Sequence, residues 1–473
     1  MCVEQNRLPG ISRSKRLSNT STKGGHDINI FTSYKSRINT RAYNKEFAAT
    51  TTIYRRAVDF FITVYLENTD TFSELTGTLM KRRKMETMTH RTTKNPEPKY
   101  PSFDTIFYKL PTYYRRAAIA AAIGKAESYL SNLKRWETES RHGKKPGYPH
   151  AGSVFPVLYR GGSFVPAGDY AFSIKVFVHN TWDWVTVSVR KGDADYILHH
   201  CADREMLVPS LTKHGNVWSL SFSFKETVEL NNTPVEDQLV LAVDLGINSA
   251  CTCCALTSDG TVVGREFLRL PAEEDSLTHA FNKAKKAKRN NAKRMPRMWA
   301  RVDGINDRIS VLTAQFIVST AMSYGADVIV LEHLDLNGKK RGRGKQRLHF
   351  WRAQYVQSMV ETKAHRLGIR IATVNAWGTS KFAFDGSGPV ARGKDAGFQS
   401  YSLCRFASEK VYNCDLNASY NIGARYFIRE LLKPCSETKR LDIEAKVPQC
   451  AKRSTCTLST LIELNAVLTA NAS

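Results

Sequence analysis

The 473 residues include 69 Lys and Arg against 44 Asp and Glu, a formal net charge of +25. An apolar share of 42% excludes a chain that is disordered throughout, and the length is sufficient for two or three domains. The positive excess indicates a polyanionic partner, with nucleic acid as the first candidate and an acidic membrane surface as the competitor. We find neither a signal peptide nor a lipidation motif, which disfavours the membrane. The ten cysteines lack disulfide-framework spacing, which is typical of a reducing cytoplasm.

The first half of the chain divides by pattern into four segments. Residues 1–27 are polar and basic and predict a mobile arm, and residues 28–40 alternate like a single strand. Apolar residues at three- and four-residue spacings predict helices over 41–150. After a Gly/Pro/Lys linker the period changes to two, so 151–236 is predicted to be a small β-barrel or sandwich.

From residue 237 onward, predicted strands and helices alternate. A strand ends at Asp244, a hairpin covers 250–268, and further apolar strands cover 326–332 and 369–375, with helices between and after them. This order predicts a mixed sheet flanked by helices, as in the RNase H fold.

Three carboxylates stand at the ends of these elements: Asp244, Glu332 and Asp415. Each has an ordinary explanation, which is a turn cap for Asp244, a strand-end charge for Glu332 and a helix N-cap for Asp415. If all three carboxylates lie at element ends of one sheet, they would instead converge and repel one another unless divalent cations neutralised them. Carboxylate oxygens suit Mg²⁺ or Mn²⁺, and two such ions roughly 3.5–4 Å apart can clamp the water and leaving oxygen of a phosphodiester.

Three stretches carry a family resemblance: "VDLGIN", "VIVLEHL" and "NCDLNASYNIGARY". They resemble the split RuvC-type nuclease motifs of TnpB and of the compact type V CRISPR effectors, and the similar region covers roughly 238–432. The resemblance implies catalytic, Mg²⁺-binding acids at Asp244, Glu332 and Asp415, with two Mg²⁺ ions that Mn²⁺ could replace.

The resemblance also implies a multidomain α+β fold. It consists of a helical recognition lobe over 41–150, a wedge-type β-barrel over 151–236 whose first strand is 28–40, and an RNase H-like (RuvC) α/β nuclease domain. The nuclease domain would occupy 237–381 and 414–434, and the tail 435–473 carries no prediction.

Residues 382–413 depart from the family pattern, in which paired Cys-x-x-Cys motifs bind zinc. Only Cys404 and Cys414 remain, and two thiolates do not make the usual four-ligand site. We therefore expect a degenerate zinc-finger-like insert for target nucleic acid, without structural zinc. The loop should be held instead by four aromatic residues, which are Phe382, Phe384, Phe398 and Phe406.

Two basic runs are candidates for contacts with phosphates rather than ordinary solvated helix faces. One lies between 283 and 301, and the other, "GKKRGRGKQR" at 338–347, could cover the site as a flexible lid. The candidate contacts are Lys283, Lys286, Arg289, Arg294, Arg297, Lys339, Lys340, Arg341 and Arg343.

The resemblance predicts an RNA-guided endonuclease that cuts double-stranded DNA beside a short flanking motif. A guide RNA and the target DNA would be its partners, it would act as a monomer or as a homodimer on one guide, and it would be cytoplasmic in a prokaryote. Two alternatives stay open: an RNA-guided DNA-binding repressor that does not cut, and an RNase H-fold transposase or resolvase that needs no guide. The sequence leaves open whether a transposon or a CRISPR system encodes the chain.

Overall fold

The structure is a computed structural model that describes residues 26–138, 144–246, 250–334 and 352–470. The chain folds into two compact units. The described residues of 31–226 belong to unit 1, and the described residues of 26–30 and 227–470 belong to unit 2. Almost all of the predicted basic arm lies outside the described residues, and the predicted domain boundaries remain predictions.

Two long helices organise the helical part of unit 1. Tyr54 and Tyr114 are fully buried, one on each helix, and their ring centroids lie 6.1 Å apart. The Tyr114 hydroxyl also donates a 2.6 Å hydrogen bond to the carbonyl of Lys175, which ties the second helix to a strand. The helices are α1 (Asn44–Glu67), α2 (Thr69–Ser73), α3 (Thr78–Thr89), α4 (Ser102–Ile106), α5 (Thr112–Thr138) and α6 (Lys191–Cys201).

The strands that lie wholly or mostly in unit 1 form two sheets, and the described residues show no closed barrel. One sheet has the order β1-β7-β5 with β6 paired to β7, and the other has the order β2-β3-β4. The helix α6 interrupts the period-two region, and the sequence analysis missed it. The strands are β1 (His26–Arg37), β2 (Phe164–Gly168), β3 (Ala171–Val178), β4 (Thr181–Ser188), β5 (Glu205–Met206), β6 (Ser210–His214) and β7 (Val217–Leu230).

Unit 2 contains a five-stranded mixed sheet with the order β10-β9-β8-β11-β12. The pairs β10/β9 and β9/β8 are antiparallel, whereas β8/β11 and β11/β12 are parallel. Residues 240–243 of β8 are buried on both faces because helices cover the sheet from both sides. The strands are β8 (Leu239–Asp244), β9 (Cys251–Thr257), β10 (Val262–Leu268), β11 (Val328–His333) and β12 (Arg370–Asn375).

Two helices cover one face of this sheet and a third covers the other. The first two are α8 (Pro296–Tyr324) and α9 (Ala353–His365), and a shorter basic helix, α7 (Pro271–Arg289), packs on α8. Along the chain, β12 is followed by a small sheet of three strands, which are β13 (Ala391–Arg392), β14 (Leu403–Arg405) and β15 (Val411–Asn413). The helix of the opposite face is α10 (Cys414–Leu432), nearly all of which is buried.

The segment after α10, for which we made no prediction, is part of the core of unit 2. It forms α11 (Glu437–Lys446), two 3₁₀ turns and α12 (Leu458–Ala470). Ile443, Leu461 and Leu464 are fully buried in the same cluster as residues of α10. This segment therefore covers the side of α10 that the sheet leaves open.

Candidate acidic site at the carboxyl edge of the sheet

Strand register brings Asp244 and Glu332 together. The parallel pairing of β8 and β11 runs to Val243 opposite Leu331, and each acid is the next residue on its strand. Neighbouring strands lie about 4.8 Å apart. Ala242 precedes Asp244 by two residues and packs in the α10 cluster, so the alternation of strand side chains puts both acids on the α10 face.

Asp415 approaches the same face from the first turn of α10. Asn413 is the N-cap, and its side-chain oxygen accepts hydrogen bonds from the backbone N–H groups of Asp415, at 3.0 Å, and Leu416, at 2.9 Å. The capping role that sequence reasoning allowed for Asp415 thus belongs to Asn413. The Asp415 carboxyl is half-buried and free for another role.

The three acids share one electrostatic environment. Burial raises the pKa of Asp244 well above its usual value, and the charges of Glu332 and Asp415 raise it further. Burial also raises the pKa of Glu332, which is only 9% exposed, and the pKa of Asp415. Because each shift favours the protonated form, full ionisation of the group needs a compensating cation.

Glu332 is oriented by partners that sequence reasoning missed. The Thr379 hydroxyl donates a hydrogen bond to Glu332 Oε1 and favours the charged carboxylate, which partly opposes the effect of burial on the pKa. The Gln357 side chain donates to the Glu332 backbone carbonyl at 2.7 Å. Thr379 lies in the predicted motif region but gives no sequence signal that separates it from other loop threonines.

A cation from the insert reaches the acids. The positive charge of Arg392, in β13, lowers the pKa of both Asp244 and Asp415 and so offsets part of the burial effect. Arg392 donates a hydrogen bond to the Ser380 carbonyl, while its Nε is buried without a hydrogen-bond partner in the described part of the chain. Nothing in "PVARGKDA" distinguishes this arginine from a solvated loop residue, so the sequence did not identify it.

The donor chemistry of the three carboxylates fits a hard divalent cation such as Mg²⁺, since each offers anionic oxygen. The ionised forms are disfavoured without a cation, which is the electrostatic signature of such a site. The side chains do not, however, adopt a ligand-ready arrangement. Within the described ranges, no three His, Cys, Asp or Glu residues form a group that could hold a metal ion.

Two buried asparagines and one buried arginine of α10 fix the loop that follows β12. The Asn421 amide donates to the carbonyls of Thr379, at 2.8 Å, and Phe382, at 2.9 Å, and Asn417 also donates to Phe382 at 2.9 Å. Arg425 donates four hydrogen bonds to carbonyls of two segments, 375–377 and 454–456. α10 thereby positions Thr379, which in turn orients Glu332.

The basic candidates fall into two groups. Five lie on or between α7 and α8 and are all exposed: Lys283, Lys286, Arg289, Arg294 and Arg297. The other four, together with the rest of the predicted lid, lie outside the described residues: Lys339, Lys340, Arg341 and Arg343. Nucleic-acid contacts by either group remain predictions.

The aromatic packing predicted for the insert forms only in part. Phe384 packs against Phe406, with centroids 5.5 Å apart, in a small cluster that also contains Cys404 and Cys414. The two cysteine side chains interact, which lowers the pKa of the Cys404 thiol and raises that of Cys414. The other two predicted aromatics pack elsewhere, since Phe382 contacts Trp377 and Phe398 lies beneath Arg405.

Comparisons with sequences match the first part of the chain. Residues 32–178 match the Aq_aa04 family. An uncharacterized protein, aq_aa04 of Aquifex aeolicus (strain VF5), is 40% identical over 77 residues, which is 16% of this chain. The chain spans 42% of the length of that relative.

Comparison with a solved structure shows a shared fold. A chain of a Cas12f1–sgRNA–target DNA complex is similar with a TM-score of 0.52 and 14% identity, over 80% of this chain and 81% of that one. Alicyclobacillus acidoterrestris C2c1 in complex with single-guide RNA is also similar, with a TM-score of 0.38 and 10% identity, over 81% and 69% of the two chains. The chain is thus a mixed α/β multidomain protein that resembles Cas12f1 in fold.

A helix that crosses a bilayer must be both long enough and apolar enough to span its hydrocarbon core. In the part of the chain that the structure describes, no helix meets both requirements for crossing a membrane.

Proposed function

We propose that this chain is an RNA-guided DNA endonuclease with a RuvC-type site formed by Asp244, Glu332 and Asp415. The observation that carries the proposal is the convergence of three acids on one face of the sheet: Asp244 and Glu332 lie at the carboxyl ends of two parallel strands, and the charges of Glu332 and Asp415 raise the pKa of Asp244. Fold likeness to a Cas12f1 chain solved with sgRNA and target DNA supports the guide and the DNA. The net charge of +25 supports a polyanionic partner.

The acids would hold Mg²⁺, which when bound supplies a lowered pKa for water and charge neutralisation at the phosphate. Thr379 would keep Glu332 oriented, and α10 would keep Thr379 in place through Asn421. Arg392, already within electrostatic reach of two of the acids, would contact the negative phosphate once a metal ion compensates the carboxylates. The exposed basic residues of α7 and α8 would bind the backbone without reading sequence.

A second candidate function is RNA-guided DNA binding without cleavage. It is favoured by the absence of a metal-ready group in the described residues and by Arg392, a cation that already offsets part of the acid charge. In this alternative the arginine stands in permanently for the metal ions. The protein would then bind its target and repress it.

One experiment separates the two functions. The protein is purified from its host locus under nuclease inhibition, its bound RNA is sequenced, and a matching DNA duplex is incubated with Mg²⁺ or with EDTA. A discrete RNA and Mg²⁺-dependent cutting that Asp244→Ala abolishes would establish the nuclease. RNA with target binding but no cutting would establish the repressor, and a protein without RNA would contradict both guided functions and favour a transposase or resolvase.

A further inference from the structure

An exposed tryptophan lies at the same sheet edge as the acidic site. Trp377 follows the carboxyl end of β12, which pairs in parallel with β11, the strand of Glu332. Its side chain is 51% exposed, although Thr379, two residues later, is buried and hydrogen-bonded to Glu332. A large apolar ring is thus exposed to solvent two residues before Thr379, which contacts the acidic site, and a ligand could cover this ring.

Two ammonium groups lie close to this ring. The Nζ atom of Lys381 lies 5.6 Å from the ring centroid of Trp377, and that of Lys452 lies 5.9 Å away. Both lysines are exposed, and they come from segments 71 residues apart in the chain. Two cations beside one aromatic ring repel each other, so the arrangement favours an anionic ligand that contacts both.

The backbone beneath the ring is held firmly. The guanidinium of Arg425 donates to the Trp377 carbonyl at 2.8 Å and to the Ser454 carbonyl at 2.6 Å. The Trp377 amide donates to the Asn375 side chain at 2.8 Å. One buried arginine therefore joins the segment that carries the indole to the segment that carries Lys452, which limits the ordering that a ligand would have to impose.

The ligand that fits an exposed aromatic ring beside two cations is a nucleic-acid strand with an unpaired base. Stacking on an aromatic side chain requires an open base face, which bases inside a duplex lack, and flanking phosphates supply the negative charge. We propose that Trp377, Lys381 and Lys452 bind an unpaired DNA strand, with one base stacked on the indole and the neighbouring phosphates on the two lysines. This rests on the proposed nuclease function, because the strand so held would enter the site of Asp244 and Glu332.

The test measures binding without cleavage. The full-length protein is mixed in EDTA with a single-stranded DNA that carries 5-iododeoxyuridine, irradiated, and digested so that the cross-linked peptide can be identified. The cross-link should map to Trp377. Fluorescence anisotropy should show affinity for the single strand lowered about tenfold in Trp377→Ala and by a smaller factor in Lys452→Ala and Trp377→Phe.

The control is Tyr355→Ala, which removes another exposed aromatic ring of unit 2 and should leave the affinity unchanged. Cross-links elsewhere, or Trp377→Ala and Lys452→Ala variants that bind the single strand like the parent, would overturn the proposal. An equal reduction in affinity for a blunt duplex would also overturn it, because the site would then not require an unpaired strand. If binding of the single strand depends on Trp377 but the protein never cuts DNA, the nuclease proposal fails and this one stands. If the protein cuts DNA but binding does not depend on Trp377, this proposal fails and the nuclease proposal stands.

Discussion

Two sets of charges in unit 2 lie in opposite surroundings. The acids Asp244, Glu332 and Asp415 are buried or half-buried, and the charges of the other two raise the pKa of Asp244. Thr379 donates a hydrogen bond to Glu332, and the Asn413 cap holds the backbone of Asp415. The basic residues of α7 and α8 are exposed to solvent. Each acid should therefore have a large effect on DNA cutting or on stability, and that effect should depend on pH. Each basic residue should make a small contribution to nucleic-acid binding, similar to that of its neighbours and weakened by salt.

The largest effect should come from removing one acid. In Asp415→Asn the volume is nearly unchanged, but one anionic metal ligand is removed, so Mg²⁺-dependent cutting should fall by at least about a hundredfold, more than removal of an outer partner would cost. Target binding measured in EDTA should stay within about twofold. The matched control, Asp442→Asn on the exposed face of α11, should cut like the parent. Undiminished cutting by Asp415→Asn would exclude this site.

Two arginines of unit 2, one buried and one partly exposed, should contribute very differently to the free energy of unfolding. Arg425 is 5% exposed and donates to four carbonyls, so Arg425→Met leaves buried acceptors unpaired and should lower the free energy of unfolding by about 3–5 kcal/mol. Arg440 is partly exposed and forms an (i, i+4) ion pair with Glu444 on α11, so Arg440→Met should cost at most about 0.5 kcal/mol. Denaturant unfolding of both variants measures the difference. Equal destabilisation of the two variants would mean that Arg425 does not secure the C-terminal segment.

The raised pKa of Asp244 makes stability depend on pH. Because the folded state holds its proton more tightly than the unfolded state, the free energy of unfolding in EDTA should fall as pH rises from about 4, the ordinary carboxyl value, through the raised pKa. Asp244→Asn cannot ionise and should show a shallower fall and a higher melting temperature at pH 7. Added Mg²⁺ should stabilise the parent more than the variant. If the free energy of unfolding of the variant depends on pH as steeply as that of the parent, Asp244 is not the carboxyl that causes the pH dependence.

The smallest effects should come from the basic helices. Replacing one of Lys283, Lys286 or Arg289 by Ala should weaken nucleic-acid binding only a few-fold, whatever the sequence bound. It should also reduce the slope of log affinity against log salt by about one for each phosphate that the variant no longer neutralises. Binding titrations between about 50 and 200 mM salt measure both quantities. A sequence-dependent weakening, or an unchanged salt slope, would mean that these residues do not bind phosphates.

The parts of unit 2 that local pattern determines were predictable from sequence. Apolar runs that end at Asp244 and Glu332 identified the parallel strands, because strands covered on both faces need continuous apolar residues. Asn417 and Asn421 lie in the third motif, "NCDLNASYNIGARY", but their role in holding a loop backbone is visible only in the structure.

The parts that depend on long-range contacts were not predictable. Arg392 and Thr379 reach the acids only through the folding of the insert and the loop after β12, and neither has a local sequence signal. The helix α6 was missed because its eleven residues lie within a region dominated by strands. The C-terminal segment has helical stretches whose burial is decided by α10, so its place in the core required the structure.

The dependence of α10 on the C-terminal segment has a consequence for synthesis of the protein. Arg425 finds two of its four carbonyl partners only when residues 454–456 have emerged, roughly 210 residues after the β8 strand that ends at Asp244. At a synthesis rate of about 5–20 residues per second, roughly 10–40 s pass between the synthesis of β8 and that of the segment that completes the packing around α10. During most of that interval α10 itself has not been made, so the face of the sheet that α10 covers is open to chaperones, and Asp415 has not yet joined Asp244 and Glu332. A ribosome-bound chain should therefore be unable to cut the nucleic acid around it.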